Sequence, residues 1–222
     1  MKRSLDDLRR DALEIWKGGV EAVEPERLVR SWIQVDAGQL RIGEARIDTN
    51  RVGRIVIVGA GKAGAGMAAA TEDALGPALL DEKNATGWVN VPADCVRRLK
   101  HIHLHAARPV RLNEPTAEGA AGSEEILKLV SGLTADDVCL CLISGGGSAL
   151  LPAPAEGITL DDELTVTRHL SAAGANIGEL NTVRKHLSRI KGGGLLRACR
   201  AGRFSRRMDI FWRLPCLLEG TC

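Results

Sequence analysis

The chain has 222 residues, of which 45% are hydrophobic and 26% are charged, a composition typical of a folded globular protein and not of a disordered one. This length allows one large α/β domain. No apolar run approaches the roughly 18–20 residues that a membrane helix needs. The first residues mix acids and bases without an apolar signal segment, so we expect a cytoplasmic protein with no membrane partner.

The basic excess is small and lies at the end of the chain. The formal net charge is +2, and residues 203–222 carry four arginines against two acidic residues. This distribution gives no reason to expect a nucleic-acid partner. The same segment holds three of the six tryptophan and phenylalanine residues. We therefore interpret residues 1–202 as the domain and residues 203–222 as a segment of different character.

The cysteines and histidines do not define a disulfide framework or a metal site. The six cysteines include no CxxC pair, and a chain of this length needs no disulfides to fold. Cys139 and Cys141 alternate within an apolar run, so we expect them to be reduced and to pack on one face of a strand. His101, His103 and His105 would also share one strand face, but no acidic residue is predicted beside them and we assign no metal.

Hydrophobic periodicity predicts two N-terminal helices and then alternating strands and helices. The first helix is expected over residues 4–18, capped by Ser4 and ended by Gly18 and Gly19, and the second over residues 25–33. A small hairpin is expected at residues 39–42 and 46–47. The later predicted strands are 54–58, 88–91, 102–104 and 138–143, and the later predicted helices are 65–75, 116–130, 160–173 and 177–187.

This alternation predicts the α/β fold class, with a doubly wound, mostly parallel, Rossmann-like sheet, helices on both faces and an N-terminal helical pair. Strand 54–58 after its first residue, Arg54, and strand 138–143 are continuous apolar runs, as is typical of parallel strands buried on both faces. Each runs directly into a glycine-rich loop. Because such sheets bind ligands beyond the carboxyl ends of their strands, we expect both loops at the binding edge.

The first glycine loop, Gly59–Gly64, matches GxGxxG between a strand and a helix. Its glycines allow an anion to approach the backbone, and the helix N-terminus offers free N–H groups. A dinucleotide site also needs an acid about 20 residues further on, whereas the next strand ends at residues 90–92 with Asn-Val-Pro. Lys62 is placed to meet a phosphate or carboxylate; the alternative is a solvent-facing lysine on a tight turn.

The second glycine loop follows the strand at residues 138–143 and comprises Ser144, Gly145, Gly146, Gly147 and Ser148. Successive backbone N–H groups in such a loop form a concave nest that suits phosphate oxygens, and the two serines add hydroxyl donors. The loop is not a hydrolase elbow, since GxSxG would need glycine at position 150. The alternative is a flexible turn.

A third group of candidate residues lies near the end of the domain. On a helix, Asn181, Arg184, Lys185 and Ser188 would share one face at i, i+3, i+4 and i+7. This stripe leads into Gly192–Gly194 and could hold an anionic substrate. The alternative is a basic helix face exposed to solvent.

Three runs together resemble the glycerate 2-kinases: residues 58–76 (VGAGKAGAGMAAATEDALG), 133–160 (LTADDVCLCLISGGGSALLPAPAEGITL) and 173–195 (AGANIGELNTVRKHLSRIKGGGL). That family has an N-terminal MOFRL-associated domain and a C-terminal MOFRL domain, and some of its members are filed as hydroxypyruvate reductases. The resemblance extends from about residue 8 to residue 202.

The resemblance implies a transferase that phosphorylates D-glycerate to 2-phosphoglycerate, with ATP and Mg²⁺ as cofactors. Lys62 corresponds to the lysine considered catalytic in the family. The resemblance implies substrate or nucleotide binding at Gly59, Gly61, Ser144, Gly145, Gly146, Gly147, Ser148, Asn181, Arg184 and Lys191. It carries over no metal ligand.

Two departures from the family leave alternatives open. Many members have a His-Pro segment where residues 107–109 read Ala-Arg-Pro, so no role for that histidine is carried over. After residue 202 the family continues with a strand, a loop and the MOFRL domain, whereas this sequence diverges. We expect that the reading frame is lost near residue 203, that the MOFRL domain is absent and that turnover is weak. The alternatives are an NAD(P)-dependent hydroxypyruvate reductase and an inactive fragment.

Overall fold

Two helices open the chain in the computed structural model, which describes residues 3–199 and the backbone of residues 208–211. Helix α1 spans Leu5–Ala22 and has the predicted cap, since the Ser4 hydroxyl accepts a hydrogen bond from the Asp7 N–H. The predicted end at Gly18 and Gly19 is wrong. The helix continues through both because a glycine costs a helix only about 1 kcal/mol. Helix α2 spans Pro25–Trp32, close to the prediction.

A small antiparallel sheet follows, with strands β1 (Ile33–Asp36), β2 (Gln39–Ile42) and β3 (Ala45–Asp48) in that order. The predicted hairpin corresponds to β2 and β3 and is confirmed. Strand β1 was not predicted, because it buries only its first residue and therefore lacks an alternating pattern.

The second half of the fold is a parallel sheet with its helices. Its strands are β4 (Ile55–Ala60), β5 (Thr86–Pro92), β6 (Ile102–Arg108), β7 (Val138–Ile143) and β8 (Met208–Phe211). The helices are α3 (Gly64–Leu75), α4 (Pro77–Glu82), α5 (Ala117–Ser131), α6 (Gly147–Leu150), α7 (Leu160–Ala172), α8 (Ile177–Arg184) and α9 (Gly194–Ala198). The strand order is β6-β5-β4-β7-β8, and all described pairings are parallel.

This architecture confirms the predicted doubly wound α/β class. The short helices α4, α6 and α9 and the strand β8 were not predicted. The proposed boundary at residue 203 lies outside the described residues, and only β8 is described within the segment 203–222. The different character of that segment therefore stays a prediction. Within 3–199 and 208–211, no helix is both long and apolar enough to cross a membrane.

The central strands bury both faces, as their unbroken apolar sequences predict. In β4, Ile55 and Ile57 pack on the side covered by α3 and the small sheet, whereas Val56 and Val58 pack on the side covered by α5. Strand β7 divides in the same way. Cys139 and Cys141 both belong to the α5 side, as expected from their alternation. The four cysteines in the described residues are all free thiols.

A buried carboxylate joins the starts of β4 and β7. Asp137 accepts hydrogen bonds from the backbone N–H of Arg54 at 2.8 Å and of Thr134 at 2.9 Å, and it pairs with the Arg54 guanidinium at 2.8 Å. Burial alone raises the pKa of Asp137, but these bonds outweigh burial and leave that pKa below its usual value. The carboxylate therefore stabilises the fold near neutral pH, and this contribution is lost as the pH falls through the acidic range.

We expect Asp137→Ala to lower the free energy of unfolding by about 2 kcal/mol, because two backbone N–H groups and a guanidinium lose their acceptor. Urea denaturation at pH 7 measures the loss. The matched control is Asp136→Ala, which alters an exposed neighbouring residue. The substitution keeps the backbone carbonyl of residue 136, which accepts a hydrogen bond from the Gly53 N–H. The control should stay within about 0.5 kcal/mol of the parent, and equal losses in the two variants would contradict the assignment.

Candidate active site

The two glycine loops lie side by side at one edge of the parallel sheet. Strands β5 and β6 extend to one side of β4, and β7 lies on the other side, so the strand order reverses at β4. The first glycine loop leaves the carboxyl end of β4 and the second leaves the carboxyl end of β7. Open α/β sheets bind ligands at this switch point.

Hydrogen bonds from Ser144 join the two loops. Its backbone N–H donates to the Ala60 carbonyl at 3.0 Å, and its hydroxyl accepts from the Ala63 N–H at 3.1 Å. The Gly61 N–H donates to the Asn90 carbonyl at 3.1 Å, which ties the first loop to β5. The Ser144 hydroxyl therefore positions the first loop, a role that the sequence analysis did not predict. Ser148 is exposed.

The glycines of the two loops fall into two groups. A Cβ at Gly59 would overlap the Leu142 carbonyl, and a Cβ at Gly61, whose φ is +136°, would overlap the Ser144 hydroxyl. These two glycines let the loops and strands approach each other. In contrast, a Cβ at Gly145 or Gly146 would meet no atom within 4 Å. The exposed part of the second loop therefore has space beside it for a ligand.

Two cations lie at the same sheet edge. Lys62 is exposed, just before α3, and Arg108 is buried at the end of β6. Burial and Asp94 raise the pKa of the Cys95 thiol, while the charges of Lys62 and Arg108 partly oppose that rise. Both cations are therefore close enough to act on one group. Arg108 donates a hydrogen bond from Nη1 to Asn113 Oδ1 at 2.6 Å.

A cleft of about 270 Å³ opens beside the second glycine loop. Gly146 and Ser148 of that loop line the cleft together with residues of α7. Two arginines line it: Arg168, which pairs with Glu114 at 2.8 Å, and Arg184. The cleft therefore combines loop backbone groups with positive charge.

Buried charges surround Arg184. Glu163, which lines the cleft, and Lys191 are each only 7% exposed. Burial and the charge of Arg184 lower the pKa of Lys191 to about 8, with Glu163 opposing the shift. Burial raises the pKa of Glu163, while Lys191 and Arg184 oppose that rise. The structure thus brings the predicted residues Arg184 and Lys191 together with a glutamate that was not predicted.

The sequence contained a signal for Glu163 that was missed. Glu163 follows Leu160 by three positions and precedes Thr167 by four, so it occupies the inward face of α7. A carboxylate at such a position is rarely buried unless it has a partner or a function.

The predicted helical stripe is wrong. Helix α8 ends at Arg184, because the next N–H groups form tighter turns: His186 donates to Val183 and Leu187 donates to Arg184. Ser188 instead pairs with Pro154 in an isolated bridge, and its hydroxyl accepts from the Lys191 N–H at 3.4 Å. Asn181 Oδ1 accepts a hydrogen bond from Arg184 at 3.5 Å and helps to orient it.

The three histidines do not share one face. His101 precedes β6 and lies 3.5 Å from Asp81, whereas the rings of His103 and His105 lie 4.2 and 5.2 Å from the Trp88 ring. No group of three potential metal ligands occurs in the part of the chain that the structure describes.

The end of β5 differs from that of a dinucleotide-binding strand. Asn90 is buried, donates from Nδ2 to the Leu150 carbonyl at 2.8 Å and accepts from the Trp88 indole at 3.1 Å. The Asn90 side chain is therefore hydrogen-bonded within the protein interior, and this position has no acidic residue to bind a ribose hydroxyl.

The fold and the paired loops define a doubly wound α/β domain with a ligand edge at the switch point. A family model described as a domain of unknown function (DUF4147) matches residues 11–206, and the chain belongs to this family.

Similar proteins of known name support the resemblance. Human glycerate kinase is 37% identical over 204 residues, covering 86% of this chain and 38% of that protein. A protein of Agrobacterium vitis named as a hydroxypyruvate reductase is 40% identical over 195 residues, covering 81% of this chain and 42% of that protein. The crystal structure of Thermotoga maritima glycerate kinase matches with a TM-score of 0.70 and 30% identity, over 88% of this chain and 42% of that one. The similarity to glycerate kinases is thus confirmed, and the chain spans about two fifths of the length of these relatives.

Proposed function

We propose that this chain is the N-terminal part of a glycerate 2-kinase, which transfers a phosphoryl group from ATP to the 2-hydroxyl of D-glycerate in the cytoplasm. The observation that carries the proposal is the pair of glycine loops, joined through Ser144, beside a cleft that contains Arg184. Phosphoryl transfer depends mainly on positioning and charge stabilisation, and these are the groups that supply both.

Each predicted residue has a role in this proposal. Lys62 contacts the transferred phosphoryl group, and the backbone N–H groups of Gly145 and Gly146 bind phosphate oxygens, with Ser148 adding a hydroxyl. Arg184, oriented by Asn181, binds the carboxylate of glycerate, and Lys191 adds positive charge behind it. Gly59, Gly61, Ser144 and Gly147 hold the two loops in register.

The described residues do not fit a protein-built magnesium site, since they contain no group of three candidate ligands. We therefore assign no residue of this chain to Mg²⁺ and propose that the ion enters with ATP, whose phosphate charge it neutralises. The remaining charges of the reaction are expected from the part of the protein that the longer relatives contain. We further propose that the reading frame is lost near residue 203, which the nucleotide sequence downstream tests directly.

We expect Lys62→Ala to weaken ATP binding by about 10- to 100-fold, because an ammonium–phosphate hydrogen bond is worth roughly 1.5–3 kcal/mol. Calorimetric titration of the 222-residue chain with ATP in the presence of Mg²⁺ measures the change. The matched control is Lys17→Ala, which removes an exposed lysine from α1 and should leave the affinity unchanged.

A parallel titration with NADH separates the kinase from the reductase. The kinase proposal requires ATP to bind. NADH binding with no ATP binding would overturn it in favour of the hydroxypyruvate reductase.

A further inference from the structure

Glu163 lines the cleft and carries a buried acceptor that has no hydrogen-bond partner in the described structure. Its side chain is more than nine-tenths buried, and Oε1 has no hydrogen-bond partner in the described structure. Leaving a buried charged group unsatisfied costs more than the roughly 1–3 kcal/mol of a neutral one, so native proteins rarely retain such a group. The cost is explained if a ligand supplies the missing donor.

The neighbouring cations do not satisfy this oxygen. Lys191 and Arg184 influence the titration of Glu163, yet neither forms an ion pair or a hydrogen bond with it among the described residues. They lie close enough to favour the charged carboxylate but leave Oε1 free. The residue that carries this acceptor lines the same cleft as the second glycine loop.

The charges of the cleft define the ligand that would fit. Arg168 is neutralised by Glu114, whereas the side chain of Arg184 is hydrogen-bonded, among the described residues, to the neutral Asn181 alone. A complementary ligand carries an anionic group for Arg184 and a hydrogen-bond donor for Glu163. A small hydroxy acid has both groups, and in a 2-hydroxy acid they are carried by adjacent carbons.

We propose that Glu163 is a specificity-determining residue that accepts a hydrogen bond from the hydroxyl next to the ligand's carboxylate, while Arg184 binds that carboxylate. This inference rests on the proposed function and deepens it, since it names the group that distinguishes a 2-hydroxy acid from a plain carboxylic acid.

The test compares four acids that differ only in their hydroxyl groups: D-glycerate, D-lactate, 3-hydroxypropionate and propionate. Calorimetric titration of the 222-residue chain is expected to show D-glycerate at least about 10-fold tighter than 3-hydroxypropionate, and D-lactate at least about 10-fold tighter than propionate. In Glu163→Leu, both preferences should fall below about twofold because the acceptor is gone.

Two further variants make the test decisive. Glu163→Gln retains one uncharged acceptor and should show an intermediate preference of about threefold. It tests the role of Glu163 if Glu163→Leu fails to fold. Asp161→Asn alters an exposed residue of the same helix and should keep the parent preference. Thermal denaturation checks the fold of each variant.

The outcomes separate the two levels of the proposal. If glycerate binds and the 10-fold preference persists in the Glu163 variants, the role of Glu163 is overturned while the proposed function stands. If the parent chain binds 3-hydroxypropionate more tightly than D-lactate, the role of Glu163 is likewise overturned while the proposed function stands. If the parent chain binds ATP but none of the acids, the glycerate-binding function is overturned and the role of Glu163 with it.

Discussion

Gly59→Ala is expected to lower the free energy of unfolding by about 4 kcal/mol. Gly59 lies in the middle of the parallel sheet, paired with Val89 of β5 and Leu142 of β7. A Cβ there would overlap the backbone carbonyl of Leu142. Overpacking a core usually costs about 1–3 kcal/mol, but here the obstructing atoms belong to a neighbouring strand and cannot rotate away. The cost should therefore exceed that range.

Urea denaturation of the purified variant measures this loss. The matched control is Gly145→Ala, because a Cβ at Gly145 meets no atom within 4 Å. The control should lose less than about 1 kcal/mol. If Gly59→Ala were equally well tolerated, β4 and β7 could separate locally, and the close joining of the two glycine loops would not be a rigid feature of the site.

The parts of the fold that follow from local rules could be predicted from sequence. The unbroken apolar runs at β4 and β7 arise because each residue faces one of two helical layers. The two glycine loops directly follow these runs in the sequence, so they are predicted from the same short stretches. Strand β1 could not be predicted in this way, because it depends on pairing with β2 and has no alternating pattern of its own.

The candidate site depends more strongly on distant contacts. Ser144 was predicted to offer a hydroxyl to a ligand, but its distance from the first loop is set only when β4 and β7 pair. The grouping of Arg184 with Lys191 and Glu163 requires α8 to end before the predicted position, and that end depends on local turns. Helical periodicity indicates which residues would share a face, but it cannot show where a helix ends. It therefore predicted a shared face for Ser188, which lies beyond the end of α8.

Folding releases a proton from Lys191 over a pH range in which the unfolded lysine keeps it. The folded pKa is about 8, against an ordinary value of 10.5, because burial and Arg184 disfavour the charged ammonium while Glu163 opposes the shift. The unfolded chain therefore binds more protons between these two values, and the stability of the folded protein rises with pH through that window. Below about pH 8 both states are protonated and the burial penalty is complete.

The free energy of unfolding of the parent should therefore gain roughly 2 kcal/mol relative to Lys191→Met between pH 7 and pH 10. Urea denaturation of both proteins at the two pH values isolates the contribution of Lys191, since the titration of groups that do not interact with Lys191 cancels in the difference. The control is Lys128→Met, which removes an exposed lysine paired with Glu125. The free energy of unfolding of the parent should show no such gain relative to this variant between pH 7 and pH 10. A parent-to-Lys191→Met difference that stays constant from pH 7 to pH 10 would mean that the ammonium of Lys191 reaches solvent, and Lys191 could then not add a buried positive charge behind Arg184.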